Sequence, residues 1–288
     1  MQHSVDGRSM YIRKMSQQDI EFALTLTTTE GWGSIKLDFE ELLAFDPQGC
    51  FIAEFSDEPI GMICTTPYNS FGFVSNLIVL REHRNKKLGT ELMKHALEYL
   101  ERKHVVSHLL DGVMKAISLY ERFGFEKRHK SLRLEGYVEP KESADIRYMT
   151  AGDLDDIDQF DTKFFGASRK RFIESRLRHF PKLCKVLDIN GELAGYIMGS
   201  ERSGFIRIGP WVMKNNHEQA EDLLRDFALE VDGMPLQIGV LKNNRRALQI
   251  FQKHKFAQKS FSWRMMRGPK GNWTFSDHLY AICSAARG

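Results

Sequence analysis

Apolar residues at every fourth position, Leu88, Leu92, Ala96 and Leu100, with Met93 and Leu97 widening the stripe, predict a helix over 88–103 that covers a core with one face. The residues before it read as strands. Phe51 to Phe55 and Ile60 to Thr66 are β-rich runs joined by the polar Ser56-Asp57-Glu58-Pro59, which signals a hairpin, and Phe73 to Val79 is a further strand. Upstream, Tyr11 to Arg13 forms a short strand, and Ser16 stands as an N-cap before a helix from Asp19 to about Thr27. A second helix, around Asp38 to Phe45, is closed by the turn-forming Asp46-Pro47-Gln48-Gly49. Downstream come a strand over Val105 to Asp111, a helix from Lys115 to Arg122 ending near Gly124, and a last strand from Phe125 to Leu134. In order, this is an α/β fold with a mixed, mostly antiparallel sheet flanked by helices.

The plan is written twice. Ile12-Arg-Lys-Met-Ser-Gln-Gln-Asp-Ile20 reappears 134 positions later as Ile146-Arg-Tyr-Met-Thr-Ala-Gly-Asp-Leu154, and at the same offset Phe51–Cys64 matches Lys185–Met198, with Gly61 on Gly195. The hairpin joint of the second copy is Asn190-Gly191, a strong two-residue turn signal. A period this long is a whole domain, because solenoid repeats run at roughly 20 to 50 residues. The expected organisation is a disordered N-terminus over 1–10, a first domain over 11–138, a linker over 139–144, a second copy over 145–268 and a tail over 269–288. Gly and Pro within the polar stretch Glu135–Ala144 suit a boundary.

Composition narrows the class. At 42% hydrophobic and 27% charged, the chain is an ordinary globular protein, so fibrous and disordered classes drop out. No run of about 18 apolar residues offers a membrane span, and Met1–Ser9 lacks the apolar core of a signal peptide, so a cytoplasmic location without a membrane partner is expected. Cys50, Cys64, Cys184 and Cys283 lie far apart, with no Cys-x-x-Cys pair and no histidine at metal-ligand spacing; they read as reduced thiols, and no metal is expected. Net charge is only +3, spread without long runs, so nucleic acid is not an expected partner.

Chemistry concentrates between Val79 and Gly89. A strand ending in a short basic loop that opens a helix gathers unpaired backbone N–H groups and a positive dipole end around one point, which suits a phosphate. Arg84, Lys86 and Lys87 add cations, and Gly89 has no Cβ to hold a ligand away. On spacing alone, the alternative is a plain connection with solvated basic residues.

Arg84-Asn-Lys-Lys87-Leu-Gly89 resembles the signature of the GNAT superfamily of N-acetyltransferases: Arg or Gln, two variable residues, Gly, one variable residue, then Gly or Ala. Leu119-Tyr120-Glu-Arg-Phe-Gly124-Phe125 is similar to the family's Leu-Tyr-x-x-x-Gly-Phe segment, and the resemblance covers nearly all of 11–135. With Leu110-Asp111 and Glu30-Gly31-Trp32, it is most similar to two-domain members carrying a second GNAT-like module. One residue departs from the pattern, Lys87 standing where the first signature glycine should be.

What the resemblance implies is acetyl-CoA as co-substrate, its pyrophosphate on the loop Arg84, Asn85, Lys86, Lys87, Leu88, Gly89 and Thr90. The pantetheine would lie along Leu77, Ile78 and Val79, a strand that also offers a backbone N–H to the thioester carbonyl. Tyr120 matches the family's tyrosine that protonates the departing thiolate; its plain alternative is a packing residue on the last helix. Trp32 and Asp38 border the acceptor side in that fold and would suit a cationic amine, although a buried tryptophan and a surface aspartate would read the same. Glu54, His83 and Asp111 are candidates to receive the amine's proton, with water as the alternative.

The second copy lacks the loop. Phe205–Leu224 again reads strand, loop and helix, but no Arg-x-x-x-x-Gly is present and Pro210 removes a backbone donor. Asn244-Arg-Arg-Ala-Leu-Gln-Ile-Phe251 resembles the superfamily's Asn-x-x-Ala-x-x-Leu-Tyr helix, with Phe251 in the tyrosine's place. Trp211, in the Ile208-Gly-Pro-Trp corner, lines an acceptor pocket or fills a core. The expectation is one active site, transferring an acetyl group to a primary amine of a small molecule by direct attack. A coenzyme-binding sensor without turnover, an interaction protein and a protein-lysine acetyltransferase remain alternatives, in a monomer or homodimer.

Overall fold

The motif that opens each copy folds into one capping device. In the computed structural model, which describes residues 3–5, 8–214, 219–271 and 277–288, β1 (His3–Val5) pairs with β2 (Arg8–Lys14), and a 3-10 turn at Gln17–Asp19 leads into α1 (Ile20–Thr29). The Ser16 backbone N–H and hydroxyl donate to Asp19 at 2.7 and 2.8 Å, and Arg13 on β2 pairs with the same carboxylate at 2.6 Å. In the second copy Thr150 donates to Asp153 at 2.7 and 2.8 Å and Arg147 pairs at 2.7 Å. Each carboxylate caps a helix start and anchors a strand guanidinium at once, so Arg, Ser/Thr and Asp must keep their spacing. Within the stretch expected to lack structure, His3–Val5 pair with Arg8–Met10.

Unit 1 comprises Met1–Leu110, Ser118–Phe125 and Met266–Pro269. After α1 come α2 (Lys36–Phe45), β3 (Cys50–Phe55), β4 (Glu58–Pro67), β5 (Phe71–Val79), α3 (Leu88–Arg102), β6 (Ser107–Gly112) and α4 (Ile117–Arg122). The sheet runs β1-β2-β3-β4-β5-β6, antiparallel throughout except for the parallel β5–β6 pair. Ile20, Leu26, Phe39, Leu42, Ile52 and Met62 belong to the core that joins α1 and α2 to this sheet. The β3–β4 turn is tighter than the sequence suggests. Phe55 pairs with Glu58, which leaves Ser56 and Asp57, both at positive φ, as a two-residue turn like Asn190-Gly191.

Strand β5 departs from a regular ladder on both of its sides. Its register on β4 shifts between Met62 and Cys64, with Asn76 at φ 50°, so the strand bulges there. Gly61 permits the close approach, since a Cβ on it would lie 2.8 Å from the Ile78 carbonyl oxygen. Pairing with β6 stops after Phe71, Gly72 and Phe73; beyond them, this side of β5 has no strand partner among the described residues.

His108, on β6, is 3% exposed and neither ring nitrogen has a hydrogen-bond partner among the described residues. Burial, helped by the Arg267 guanidinium, lowers its pKa to about 4. The folded value lies below the unfolded one of roughly 6.5, so the native state resists protonation. Stability is therefore complete above about pH 6.5 and falls as the pH drops toward 4. A His108→Leu chain should hold its stability across that window and gain about 1–3 kcal/mol near pH 5, measured by urea melts. Parallel pH profiles for the two chains would assign the acid sensitivity elsewhere.

Unit 2 comprises Asp111–Ile117, Glu126–Met265 and Lys270–Gly288. Its elements are β7 (Glu126–Gly136), β8 (Ile146–Tyr148), α5 (Leu154–Phe165), α6 (Lys170–His179), β9 (Cys184–Ile189), β10 (Glu192–Arg202), β11 (Phe205–Met213), α7 (Ala220–Phe227), β12 (Leu236–Leu241), α8 (Arg245–Lys253), β13 (Ala257–Arg267) and β14 (Leu279–Ala281). Within this unit the order is β13-β7-β12-β11-β10-β9-β8, with β14 on β11. The segment read as the last strand of the first copy thus belongs to the second unit. β7 forms an antiparallel ladder with β12 from Gly136↔Leu236 to Ser131↔Leu241, and ladder hydrogen bonds outweigh nearness in sequence. Residues 215–218 and the tail segment 272–276, which includes Trp273, lie outside the described residues.

Candidate functional site

The basic loop of unit 1 has an irregular backbone. After a 3-10 turn at Arg81–His83, Arg84 is extended, Asn85 has φ 63° and Lys87 has φ 62°, and α3 begins at Leu88. Left-handed residues before a helix turn successive amides toward one concavity, the geometry that holds anions. The Lys87 carbonyl accepts the Thr90 and Glu91 N–H groups at 2.9 and 3.1 Å, whereas the amides of Leu88 and Gly89 lie in the first turn, where the helix supplies no acceptor. Lys87, occupying the signature glycine's position, adopts the left-handed conformation that a glycine would favour. Asn85, Lys86 and Lys87 are all exposed.

Gly89 is not demanded by packing. A Cβ there would meet only Leu119 Cδ2, at an ordinary 3.6 Å. The same approach places Leu119 of α4 against the start of α3, and Tyr120 is the next residue along α4. Tyr120 is 7% exposed, its ring 6.4 Å from that of Phe125, and its hydroxyl has no protein partner among the described residues. Burial alone pushes its pKa up to about 12, so the phenol remains a donor throughout the neutral range. Leu77 and Val79 are half-buried and Ile78 is buried, on the stretch of β5 that β6 leaves open.

Arg84 does not point outward. Its Nε donates to the Val79 carbonyl at 2.9 Å and its Nη2 to Glu30 Oε1 at 2.7 Å, which ties the loop to the end of β5 and the end of α1. Sequence reading named Arg84 but missed Glu30 as its partner, because 54 residues separate the pair. Glu30→Ala should weaken binding of a phosphate-bearing ligand at the loop about three- to tenfold and cost about 1 kcal/mol of stability. Titration calorimetry beside a melt checks both, and unchanged affinity would show that the loop holds its shape without this tie.

The remaining candidates are tied up by structure. Asp38 caps α2 by accepting the Ile35 N–H at 3.0 Å, and Trp32 packs against the α1–α2 core. Glu54 is buried and accepts from Arg13 Nε at 2.6 Å. Asp111, in unit 2, pairs with Arg264 at 2.5 Å and Arg133 at 3.1 Å; burial pushes its carboxyl up, but the two guanidiniums hold it below the ordinary value. Neither carboxylate is placed as an open base. Trp211 is fully buried in the core of unit 2 between Phe251 and Tyr280, their rings 6.0 and 5.0 Å from its own.

A bulged strand with one open side, a loop of left-handed residues feeding a helix and a buried tyrosine on α4 occur together in unit 1, and unit 2 repeats the strand plan with Phe251 in the tyrosine's place. The profile of the Acetyltransferase (GNAT) family matches residues 19–125, and that of an Acetyltransferase (GNAT) domain matches 157–281. The chain belongs to the GNAT family as two tandem domains. It is 23% identical over 249 residues to a holothin acyltransferase of Pseudoalteromonas sp. (strain SANK 73390), across 84% of this chain and 83% of that protein. A candidate acetyltransferase from Pyrococcus horikoshii is similar in structure, with TM-score 0.83 and 26% identity over 99% of this chain and 98% of that one. A tandem GNAT protein from the clavulanic acid biosynthesis pathway shares the fold, with TM-score 0.61 and 12% identity over 91% of this chain and 100% of that one. No helix is long and apolar enough to cross a membrane, and no cluster of His, Cys, Asp or Glu that could hold a metal occurs among the described residues.

Proposed function

We propose that unit 1 transfers an acyl group, most simply acetyl, from an acyl-CoA to a primary amine of a small molecule. One observation carries this reading. Gly89 costs the helix propensity and relieves no clash, yet it lies at the mouth of the basic loop beside Leu119-Tyr120. A phosphate-bearing ligand explains both the missing Cβ and the left-handed backbone. The similarity to an acyltransferase named for one acceptor, holothin, supports transfer to a discrete molecule.

The chain's own contributions follow from the site. The amides at Lys86 to Thr90, with Lys86 and Lys87, would receive the pyrophosphate, and the open side of β5 at Leu77 to Val79 would hold the extended pantetheine. Acyl-CoA supplies an activated acyl group. The amine forms the new C–N bond as the C–S bond breaks, and Tyr120 would give its proton to the sulfur. A phenol at about 12 is a weaker acid than a free thiol at roughly 8.5. However, the thiolate would form in the same desolvated place, and burial raises its proton affinity by the same physics.

With Glu54 and Asp111 both paired, water and His83, half-buried in the turn that opens the basic loop, are left to receive the amine's proton, and water is the simpler route. In that case kcat/KM rises with pH up to the pKa of the amine itself and shifts when an amine of different pKa is used. A bell fixed at one protein pKa for all amines would point to a side-chain base. The direct test is thiol release from acetyl-CoA with a panel of amines. Absence of turnover with every class, despite coenzyme binding, would favour a sensor.

A further inference from the structure

We propose that residues 277–288 are a built-in ligand of unit 2, an extended segment that fills the wedge between β11 and β12 and makes this unit a strand-accepting site rather than a coenzyme site. The reading rests on the proposed function only in taking the corresponding β5–β6 opening of unit 1 as the coenzyme's place.

The duplication leaves the same opening in both units. β11 pairs with β12 in parallel at Ile206, Arg207 and Ile208 alone, as β5 pairs with β6 at three residues before the two strands part. In unit 2 the gap is occupied. β14 adds antiparallel to β11, with Trp211 opposite Ala281 and Val212 opposite Leu279, and the Met213 N–H donates to the His278 carbonyl at 3.0 Å. On the other side the Ile282 N–H donates to the Gly239 carbonyl of β12 at 2.9 Å. The tail thus bridges both walls, the mode in which an edge strand captures an extended peptide.

Side chains that echo the motifs of a transferase site hold the tail. Asn244 caps α8 through the Ala247 N–H at 3.0 Å and turns its Nδ2 to the carbonyls of Asp277 at 2.9 Å and Leu279 at 3.0 Å. Tyr280, 1% exposed, lies beside Trp211, whose other neighbour is Phe251, the residue in the place of Tyr120. Two glycines make room. A Cβ on Gly209 would lie 2.0 Å from the Ile282 carbonyl oxygen, and one on Gly239 2.8 Å from Ile282 Cγ1. At the repeat offset, Gly209 corresponds to Ser75 in the first copy. Gly288 is held as well, its carbonyl accepting from buried Arg169 at 3.1 Å, itself paired with buried Asp161.

Hydrogen exchange on the intact chain tests this without any variant. The Met213 and Ile282 amides should be protected within about tenfold of the β10 amides; exchange at the free-chain rate overturns the proposal. A chain ending at residue 271 should bind a synthetic 277–288 peptide saturably at one equivalent, and the peptide with Ile282→Asp should bind at least tenfold more weakly. Equal binding of both peptides, or none to a folded truncated chain, overturns it. If the truncated chain does not fold, Ile282→Asp in the full chain is read by exchange: protection lost over 278–282 supports the proposal, and protection kept overturns it. Titration of the intact chain with coenzyme A should show one equivalent, and two would overturn the proposal. Absence of coenzyme binding together with a protected tail would sink the proposed function instead.

Discussion

Tyr120→Phe should lower kcat about 100-fold, in the range that loss of a positioned proton donor produces, while coenzyme A binds within about twofold of the parent chain. The substitution removes one hydroxyl that has no protein partner among the described residues, so it breaks no internal hydrogen bond and leaves the ring packed near Phe125. Stability should stay level or rise slightly, since a buried hydroxyl without a partner contributes nothing to the fold. The split between kcat and coenzyme affinity is the informative readout, because a packing role would alter stability before it altered the chemical step. The defect should shrink with acyl donors whose leaving thiol is more acidic, since such a thiolate departs without needing a proton. A defect that is the same for every leaving group would remove Tyr120 from the role of acid.

Gly89→Ala should move stability and binding in opposite directions. An alanine near the start of α3 should stabilise the helix by about 0.5–1 kcal/mol relative to glycine, and the fold has room for it, the nearest contact being Leu119 Cδ2 at 3.6 Å. Coenzyme A affinity should nevertheless fall about 10- to 100-fold, because the added methyl stands where the loop amides must approach a phosphate. Thermal melts and calorimetric titration on one preparation check both effects. Gain of stability with unchanged affinity would show that the pyrophosphate is held elsewhere.

How much of the fold and site was legible in the sequence depends on the range of the interaction involved. The helix of Leu88 to Arg102, the strands on either side of Gly61 and the repeated motif that opens each copy are local patterns, and the structure places them where periodicity and spacing put them, while the capping by Asp19 and Asp153 emerged only from the structure. Lys87 at the signature glycine's position was visible as a departure; that it accepts the left-handed conformation was not. Asp111 and Glu54 looked available because their partners, Arg264 and Arg13, are distant in sequence. A carboxylate becomes a base or a structural anchor according to which guanidinium the fold delivers to it, and single-chain spacing carries no such information.

The tail and β7 show the same limit at larger scale. The sequence by itself determined that a GNAT-type plan is present twice and that only one copy carries Arg84, Gly89 and Tyr120 together, because turn chemistry, helix periodicity and glycine placement act over a few residues. Tertiary structure alone decided that β7 pairs with β12 and that β14 lies in the opening between β11 and β12. Backbone hydrogen bonds are the same for every residue type but proline, so a strand's partner is chosen by the edges left unpaired once the whole chain has folded.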